Sequence, residues 1–565
     1  MFKERLFSKL FLFAYLFVSV ILIFRFTGQI YGVNDDVIIQ NWLSGSYTGK
    51  PEFMIRGSAT PKLLFGTIVS SLYSAFPQIN WYSIALLGAV FLSWFIYGSL
   101  ALKNKNFFLV FFYAVISFLH LLWFIPSPTY TAASVMLSFT TLIYISYSIL
   151  EKNISSKFLL VFPAYAFAFL IRPESFFLGT AVAVPFLTFA VIVNRSELKN
   201  ILRKLLLPSF LCLLIIGGDA GFEKSFYSQN KEWENYREWE ILRYKIQANA
   251  PEIAVDMNPQ EFGWTRSEVE LFKSYNYIDK NNFSVDKFQK LVQDTSGNKL
   301  DLSSVFFLKA HQKIFDSDVN WEWTKLISII TFSFLLFAFL LFPRIQMYVS
   351  LLASAYLILY LVMLYVAGFL RQPERVQVSV VFLAILVSSA GFIFSRNYVN
   401  RLSVDHFTIL SLLLIVMIST AAFLQASHFV NKIGKKPDFF WAQQLDYLGK
   451  FPSDSIFIGN ASQFRNNWAS PYIVSNHEVE DRIFTFGWHN FSPHWIERAE
   501  KLGLNADDMF KSVIEDSRVY WVSDKPTMEY VVRYMEENQL MFSGPENVGV
   551  MKNFSDEYVV WNFNE

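Results

Sequence analysis

Apolar stretches close to twenty residues long recur along the chain and are separated by short polar connections. Because a helix needs about twenty apolar residues to cross the hydrocarbon core of a bilayer, this pattern predicts about eleven membrane-spanning helices. They are expected at 7–26, 83–101, 107–125, 130–150, 157–171, 175–193, 204–218, 325–342, 347–369, 376–395 and 406–425. A further apolar stretch, 61–76, predicts either a helix on the membrane surface or a short additional span.

The basic residues of the short connections lie mostly on one side of the predicted membrane. The short loops on the opposite side carry Arg172, Arg371 and Arg375. Since cytoplasmic loops are enriched in Lys and Arg, the N-terminus is predicted to be cytoplasmic. The basic start of the chain leads into a long apolar stretch, which predicts a retained signal anchor.

This topology places three longer segments on the exoplasmic side: the first loop 28–82, an insert 219–324 and a C-terminal tail. The predicted division is a transmembrane domain at 1–429 and a soluble exoplasmic domain at 430–565. In the tail, β-rich runs alternate with helical patterns, which predicts a small α/β domain with a partly parallel sheet. The β-rich runs are 455–460, 482–488, 518–524 and 558–563. The predicted fold class is a polytopic α-helical membrane protein with a C-terminal exoplasmic α/β domain.

The composition supports a membrane protein. The chain has 565 residues, of which 53% are hydrophobic, 61 are phenylalanine and only 17% are charged. A net charge of +1 offers no basic excess to neutralise nucleic-acid phosphates, so no nucleic-acid partner is expected. The single cysteine, Cys212, excludes an intrachain disulfide and cysteine-based metal chemistry.

The adjacent carboxylates Asp35 and Asp36 lie in the first loop, close to a predicted membrane surface. Carboxylates there are costly to desolvate, so the pair is a candidate catalytic site. The alternative explanation is that the aspartates cap a short helix that starts at Val37.

The three exoplasmic arginines lie in two similar sequence contexts, Arg172-Pro173-Glu174 and the segment 371–375. Proline and glutamate are both favoured in the first turn of a helix, so both segments are predicted to be helix N-termini that face outward. An arginine beside a helix N-terminus suits phosphate oxygens. Arg172, Arg371 and Arg375 are therefore the candidate phosphate ligands, with Glu174, Glu374 and Tyr130 in supporting roles. Alternatively, the arginines pair with the glutamates or lipid head groups and only anchor helix ends.

The sequence gives weaker indications of a metal site or of an aromatic sugar-binding site. The histidines are scattered, and the adjacent pair His477–Glu478 has no second ligand pair at metal spacing. Trp488, His489 and Trp495 either stack on sugar rings or, as we expect, form the core of the tail domain.

The acidic pair, the arginines at later loop edges and the C-terminal domain together resemble the GT-C superfamily of membrane glycosyltransferases. The runs NDDVIIQNWLSGSYTGKPE, FPQINWYS and GWTRSEVELFKSYNYIDKNNFS look like bacterial membrane proteins of envelope polysaccharide assembly. The resemblance implies a polyprenyl-phosphate-linked sugar donor, a glycan or lipid-linked acceptor and a location in the bacterial inner membrane. It places Asp35 or Asp36 at the position of the catalytic carboxylate and leaves a divalent metal open.

Two alternatives to a polyprenyl-phosphate-dependent glycosyltransferase are a transporter and an enzyme with a different donor. A flippase for lipid-linked oligosaccharides would carry ionisable residues within its spans, and the predicted spans hold few. A polysaccharide polymerase or ligase with a diphosphate-linked donor would also need outer-face arginines.

Overall fold

The structure is a computed structural model. It describes residues 2–32, 34–54, 61–103, 107–153, 158–249, 263–296, 346–369, 374–399, 437–461, 463–464, 470–472, 478–540, 542, 544–553 and 556–563. The chain divides into two compact units. Unit 1 comprises Met1–Gly32, Ser83–Gly221 and Leu302–Lys435, and unit 2 comprises Val33–Tyr82, Phe222–Asp301 and Lys436–Glu565.

Unit 1 is built from long apolar helices. They are α1 (Phe2–Phe26), α4 (Trp81–Lys103), α5 (Phe107–Phe124), α6 (Tyr130–Leu150), α7 (Phe158–Ile171), α8 (Pro173–Val193), α9 (Leu198–Gln229), α13 (Gln346–Phe369) and α14 (Glu374–Val399). α4 and α9 each begin or end in unit 2. These helices coincide with nine of the eleven predicted spans. The other two, 325–342 and 406–425, lie outside the described residues.

In the described part of the chain, five helices are long and apolar enough to cross a membrane. They contain Phe7–Phe26, Trp81–Lys103, Tyr130–Leu150, Pro173–Val193 and Arg195–Gln229. Several apolar helices in this architecture make the chain a multi-pass membrane protein.

α6 is the central helix of unit 1, because nearly all of its residues are buried. It packs against α7, α8 and α14. The approach of α8 is close: a Cβ added at Gly179 would lie 2.5 Å from the carbonyl oxygen of Val135. Glycine at this position lets the two helix backbones approach each other.

Two sequence boundaries differ in the structure. The predicted span 204–218 is part of α9, which continues through Pro208 to Gln229 and past the predicted start of the insert. The stretch 61–76 forms α3 (Leu63–Ala75), whose 13 residues make a helix of roughly 20 Å at 1.5 Å per residue. That length is shorter than the hydrocarbon core of a bilayer, which favours a surface helix over a span.

Three distant segments of the chain make up unit 2, and all three contribute to a large aromatic core cluster. Its other helices are α2 (Asn34–Ser44), α10 (Lys231–Asn249), α11 (Arg266–Lys273), α12 (Val285–Ser296), α15 (Pro437–Leu448), α16 (Pro493–Lys501), α17 (Met509–Glu515) and α18 (Lys525–Glu537). Trp42 from the first loop, Trp239 from the insert and Trp495 from the tail are buried in the same core cluster. The sequence division at 429/430 and the sidedness of the segments stay predictions.

In the described residues of the tail, five strands form a mixed sheet. Its strands are β1 (Ile456–Asn460), β2 (Ile483–Phe486), β3 (Val519–Ser523), β4 (Glu546–Asn553) and β5 (Asp556–Asn562). The strand order is β2-β1-β3-β5-β4. β1 pairs in parallel with both β2 and β3, whereas β5 pairs antiparallel with both β3 and β4. The sequence did not predict β4, because its residues, ENVGVMKN, are mostly polar or glycine. As an edge strand, β4 forms by pairing with β5 alone.

Candidate active site

The acidic pair lies in the first turn of α2. The helix begins at Asn34, three residues before the expected start, so both aspartates are inside the helix rather than ahead of it. Carboxylates in a first turn interact favourably with the partial positive charge of a helix N-terminus. Asp36 is completely buried, whereas Asp35 is partly exposed. The two side chains therefore have different environments.

Asp36 is held by a tyrosine at the start of α4. The Tyr82 hydroxyl donates a hydrogen bond of 2.5 Å to Asp36 Oδ1. The backbone N–H of Tyr82 in turn donates to the Tyr73 hydroxyl of α3, at 3.2 Å, and that hydroxyl donates to Asn80. The buried carboxylate is thus fixed by a hydrogen-bonded chain of tyrosines.

Asp35 is close enough to His489 to affect its titration. His489 is buried, and its Nε2 donates to the backbone carbonyl of Thr485 at 3.0 Å. Burial lowers the pKa of His489 to about 3, and the charge of Asp35 acts in the opposite direction by favouring the imidazolium. Trp42, seven residues after Asp35 on α2, also contacts the His489 ring, with ring centroids 6.2 Å apart. This face of α2 therefore joins Asp35 to the aromatic core of unit 2.

The candidate phosphate ligands Arg172 and Arg375 meet on one aromatic ring in unit 1. The Arg172 guanidinium lies 4.6 Å from the centroid of the Tyr130 ring, and the Arg375 guanidinium lies 5.7 Å from it. Nη1 of Arg172 also donates to the Thr131 hydroxyl at 2.5 Å. The structure thus brings together two arginines that are distant in the chain.

These arginines lie at the starts of helices. Arg172 is the N-cap residue of α8, with Pro173 in the first turn, and Tyr130 is the first residue of α6. The Ser134 hydroxyl donates to the backbone carbonyl of Arg172 at 2.9 Å, which fastens the start of α8 to α6. The local sequence therefore positions one guanidinium beside two helix N-termini.

The glutamates are less closely involved. Oε2 of Glu174 is 3.6 Å from Nε of Arg172, and its side chain is 64% exposed. Because Glu174 is largely exposed and the distance is long, this pair contributes little to stability. Glu374 begins α14, but its side chain lies outside the described part of the structure, as does all of Arg371.

Sequence reasoning missed three groups in unit 2. Tyr82 lies in the run FPQINWYS but gave no sign of an acidic partner. The second group is the ion pair between Lys62 and Glu223, at 2.7 Å. These two residues are so far apart in the chain that no local sequence pattern indicates their contact. The third group, Glu52 with His494 and Glu497, offers ligand atoms within 4.8 Å of one another and could hold a metal ion. The His-x-x-Glu spacing of His494 and Glu497 on a helix is the sequence pattern that could have indicated this group. His477, of the pair noted in the sequence, lies outside the described residues.

Trp488, His489 and Trp495 are buried in unit 2. The Trp495 ring packs on Phe484 and Phe491, with ring centroids 4.9 and 5.5 Å apart. These aromatic residues therefore belong to the protein core, as expected from the sequence, rather than to a surface that stacks on sugar rings.

No protein-family model matches the chain, and no curated protein does. Solved structures similar to it include two crystal structures of ArnT from Cupriavidus metallidurans. The apo structure is 12% identical, with a TM-score of 0.39, over 97% of this chain and 95% of that chain. The structure bound to undecaprenyl phosphate is 11% identical, with a TM-score of 0.41, over 97% of both chains. At this level of similarity, functional conclusions rest on the chain's own residues.

Proposed function

We propose that this protein is an integral-membrane glycosyltransferase of the GT-C type. It transfers a sugar from a polyprenyl-phosphate-linked donor to an envelope glycan or lipid-linked acceptor on the exoplasmic face of the bacterial inner membrane. The chain crosses that membrane about eleven times, with its N-terminus in the cytoplasm and its tail domain outside.

The observation that carries this proposal is the pair of guanidinium groups on Tyr130. Two like charges that share one ring repel each other, and an anion that accepts hydrogen bonds from both relieves the repulsion. Arginine donors match phosphate oxygens in geometry, and guanidinium groups stack readily on aromatic rings. A phosphate monoester is therefore a suitable ligand for Arg172 and Arg375.

The helix starts add to this anion site. The N-termini of α6 and α8 contribute N–H groups and partial positive charge near Tyr130 and Arg172. The Thr131 hydroxyl holds one Arg172 nitrogen and so limits the rotamers of the side chain. In the proposal, this preformed site binds the phosphate of the donor and stabilises the charge that develops on it as the sugar leaves. Arg371 is assigned the same role on sequence grounds alone.

The two aspartates take different roles. A general base must come within hydrogen-bond distance of the proton it removes, and the partly exposed Asp35 is accessible to an acceptor hydroxyl. Asp36 is buried and held by Tyr82, so it acts as a positioning residue for the start of α2. We assign Asp35 as the general base.

The Asp35 carboxylate accepts the proton of the acceptor hydroxyl, whose oxygen forms a bond to the anomeric carbon of the sugar. The bond between the anomeric carbon and the phosphate oxygen breaks, and the polyprenyl phosphate leaves with that electron pair. Arginine side chains compensate the added negative charge on the phosphate.

Phosphate-lipid binding tests the proposal. Undecaprenyl phosphate is titrated into the purified full-length protein in nanodiscs, and binding is followed by native mass spectrometry. We expect Arg172→Gln and Arg375→Gln each to weaken binding about tenfold to a hundredfold, the range for a lost charged hydrogen bond. Arg195→Gln is the matched control, because Arg195 is exposed and follows the other end of α8. Wild-type affinity in both test variants would refute the phosphate site.

A further inference from the structure

A histidine and two glutamates from separate parts of unit 2 converge at the contact of the first loop with α16. One ring nitrogen of His494 and a carboxylate oxygen of each of Glu52 and Glu497 lie within 4.8 Å of one another. His494 and Glu497 are three residues apart on α16, so both side chains lie on one face of that helix. Glu52 belongs to the loop that follows α2.

The His494 ring is rigidly held. It is buried between Trp42 and Trp233, with ring centroids 4.9 and 4.8 Å away. Its Nε2 lies 3.0 Å from the backbone carbonyl of Met54. A carbonyl can only accept, so Nε2 donates, which leaves Nδ1 to bind a ligand. Metal-binding histidines characteristically donate their second nitrogen to a carbonyl or carboxylate in this way.

The two glutamates are also held by their backbones. The N–H of Glu52 donates to the carbonyl of Trp42 at 3.0 Å, which closes the loop onto α2. The helix that carries Glu497 is capped by Ser492, whose hydroxyl accepts from the N–H of Trp495, and it has Pro493 in its first turn. Both carboxylates remain partly exposed, so a cation can reach them from solvent.

A lysine ammonium lies beside the same carboxylates. Nζ of Lys50 is 3.4 Å from Glu52 and 3.8 Å from Glu497, and the Lys50 side chain is 68% exposed. Because the ammonium is exposed and both distances are long, these pairs contribute little stability. Lys50 therefore shows that the two carboxylates attract positive charge, and its ammonium is easily displaced.

We propose that Glu52, His494 and Glu497 bind a divalent transition-metal ion, Zn²⁺ or Mn²⁺. One imidazole and two carboxylates suit these ions, and three protein ligands leave coordination positions for water. The ion cross-links the loop after α2 to α16. Because α2 carries Asp35 and Asp36 in its first turn, the ion also stabilises the helix that bears the acidic pair. The site shares no residue with the proposed phosphate site and does not depend on the proposed activity.

Zn²⁺ alone is the probe. Full-length protein is purified without a polyhistidine tag, treated with chelator, and dialysed against Zn²⁺ of known free concentration before elemental analysis. We expect one Zn²⁺ per wild-type chain and at least about tenfold weaker binding for Glu52→Gln and for Glu497→Gln. Glu500→Gln is the matched control, since Glu500 is an exposed carboxylate on the same helix. Both test residues are partly exposed, so these variants are expected to fold even if a substitution of the buried His494 is not tolerated.

Lys50 separates a metal site from a simple ion-pair cluster. If the carboxylates bind metal, Lys50→Gln removes a competing cation and strengthens Zn²⁺ binding about twofold to fivefold, the equivalent of a weak surface ion pair. Zn²⁺ should also raise the thermal midpoint of wild-type protein but not that of Glu497→Gln. Substoichiometric binding by the wild type, or binding unchanged in Glu52→Gln and Glu497→Gln, would overturn the proposal.

Discussion

The Tyr82 hydroxyl donates a 2.5 Å hydrogen bond to Oδ1 of the buried Asp36. The two residues lie in the first turns of α4 and α2, so one bond fixes the start of the helix that carries the acidic pair. Adjacent residues on a helix point in different directions, which leaves Asp35 on a more exposed surface.

Tyr82→Phe is expected to lower sugar transfer without unfolding the protein. The phenyl ring keeps its packing against Phe65, but the buried Asp36 carboxyl loses the hydrogen bond from Tyr82, which contributes about 1–3 kcal/mol. We expect about a tenfold loss of transfer, measured as incorporation of the transferred sugar into the acceptor glycan. Tyr530→Phe, a hydroxyl deletion on α18 of the same unit, is the control. Wild-type transfer in Tyr82→Phe would mean that Asp36 needs no positioning by this hydroxyl.

The sequence predicted the helix ends that carry the candidate site residues better than the contacts between those residues. Proline and arginine at the start of the eighth helix are local signals, so the Arg172 region could be found from the chain alone. That Arg375 shares the Tyr130 ring with Arg172 depends on how α14 packs against α6, which no local pattern encodes. The Asp36–Tyr82 bond was missed for the same reason.

Residue spacing explains other differences. His494 and Glu497 are three residues apart, which brings them to one face of a helix, whereas His477–Glu478, the pair noted in the sequence, is adjacent. β4 was missed because edge strands rely on pairing more than on propensity.

Lys62→Met should destabilise unit 2. Lys62 and Glu223 form an ion pair at 2.7 Å, with side chains only 15% and 11% exposed, so the substitution leaves Glu223 as a poorly compensated buried charge. Arg237 lies 3.9 Å from Glu223 and relieves only part of that cost. We expect a loss of about 2–3 kcal/mol, seen as a thermal midpoint lower by on the order of 5 °C.

The matched control for this prediction is Lys280→Met. Lys280 and Asp507 form a pair of similar length, 2.9 Å, but their side chains are 53% and 79% exposed. Solvent screening should reduce the effect of this substitution to less than about 1 kcal/mol. Equal midpoints for the two variants would show that burial of the Lys62 pair does not matter.

Glu240 and Arg243 allow a test by double substitution. Nη2 of Arg243 donates to Oε1 of Glu240 at 3.0 Å, and the two side chains are 3% and 0% exposed. Arg243→Met alone removes the cation that compensates the buried Glu240 carboxylate, and it should lower the free energy of unfolding by about 3–5 kcal/mol. Glu240→Leu combined with Arg243→Met removes both charges, and we expect it to recover most of that loss. Thermal unfolding of the full-length protein checks both, and a double variant less stable than Arg243→Met would contradict the explanation.

His489 should make unit 2 sensitive to acid. Burial lowers its pKa to about 3, so the unfolded state, with an ordinary histidine pKa, binds the proton first as the pH falls. Stability is therefore lost from about pH 6.5 downward, by about 2 kcal/mol between pH 7 and pH 5 for this residue. The hydrogen bond to the Thr485 carbonyl and the charge of Asp35 raise the pKa of His489 and the Arg243 guanidinium lowers it, and the value of about 3 includes all three.

The measurement is the thermal midpoint of full-length protein at pH 7, 6 and 5. His489→Gln removes the titrating group, so its midpoint should fall less steeply with pH than that of the wild type, whatever its midpoint at pH 7. Parallel pH profiles for the two proteins would mean that His489 does not titrate in this range in either state.

In the proposed mechanism, the protein transfers one sugar and Asp35 removes the acceptor proton. The most direct test is the composition of the envelope glycan in cells that carry wild-type, Asp35→Asn or Asp36→Asn protein at matched membrane levels. We expect Asp35→Asn to abolish one specific sugar, since loss of a general base lowers turnover by about 10²–10⁴, while the rest of the polymer is made and exported. An unchanged glycan in both variants, or loss of the whole polymer with its lipid-linked precursor held on the cytoplasmic side, would contradict this mechanism.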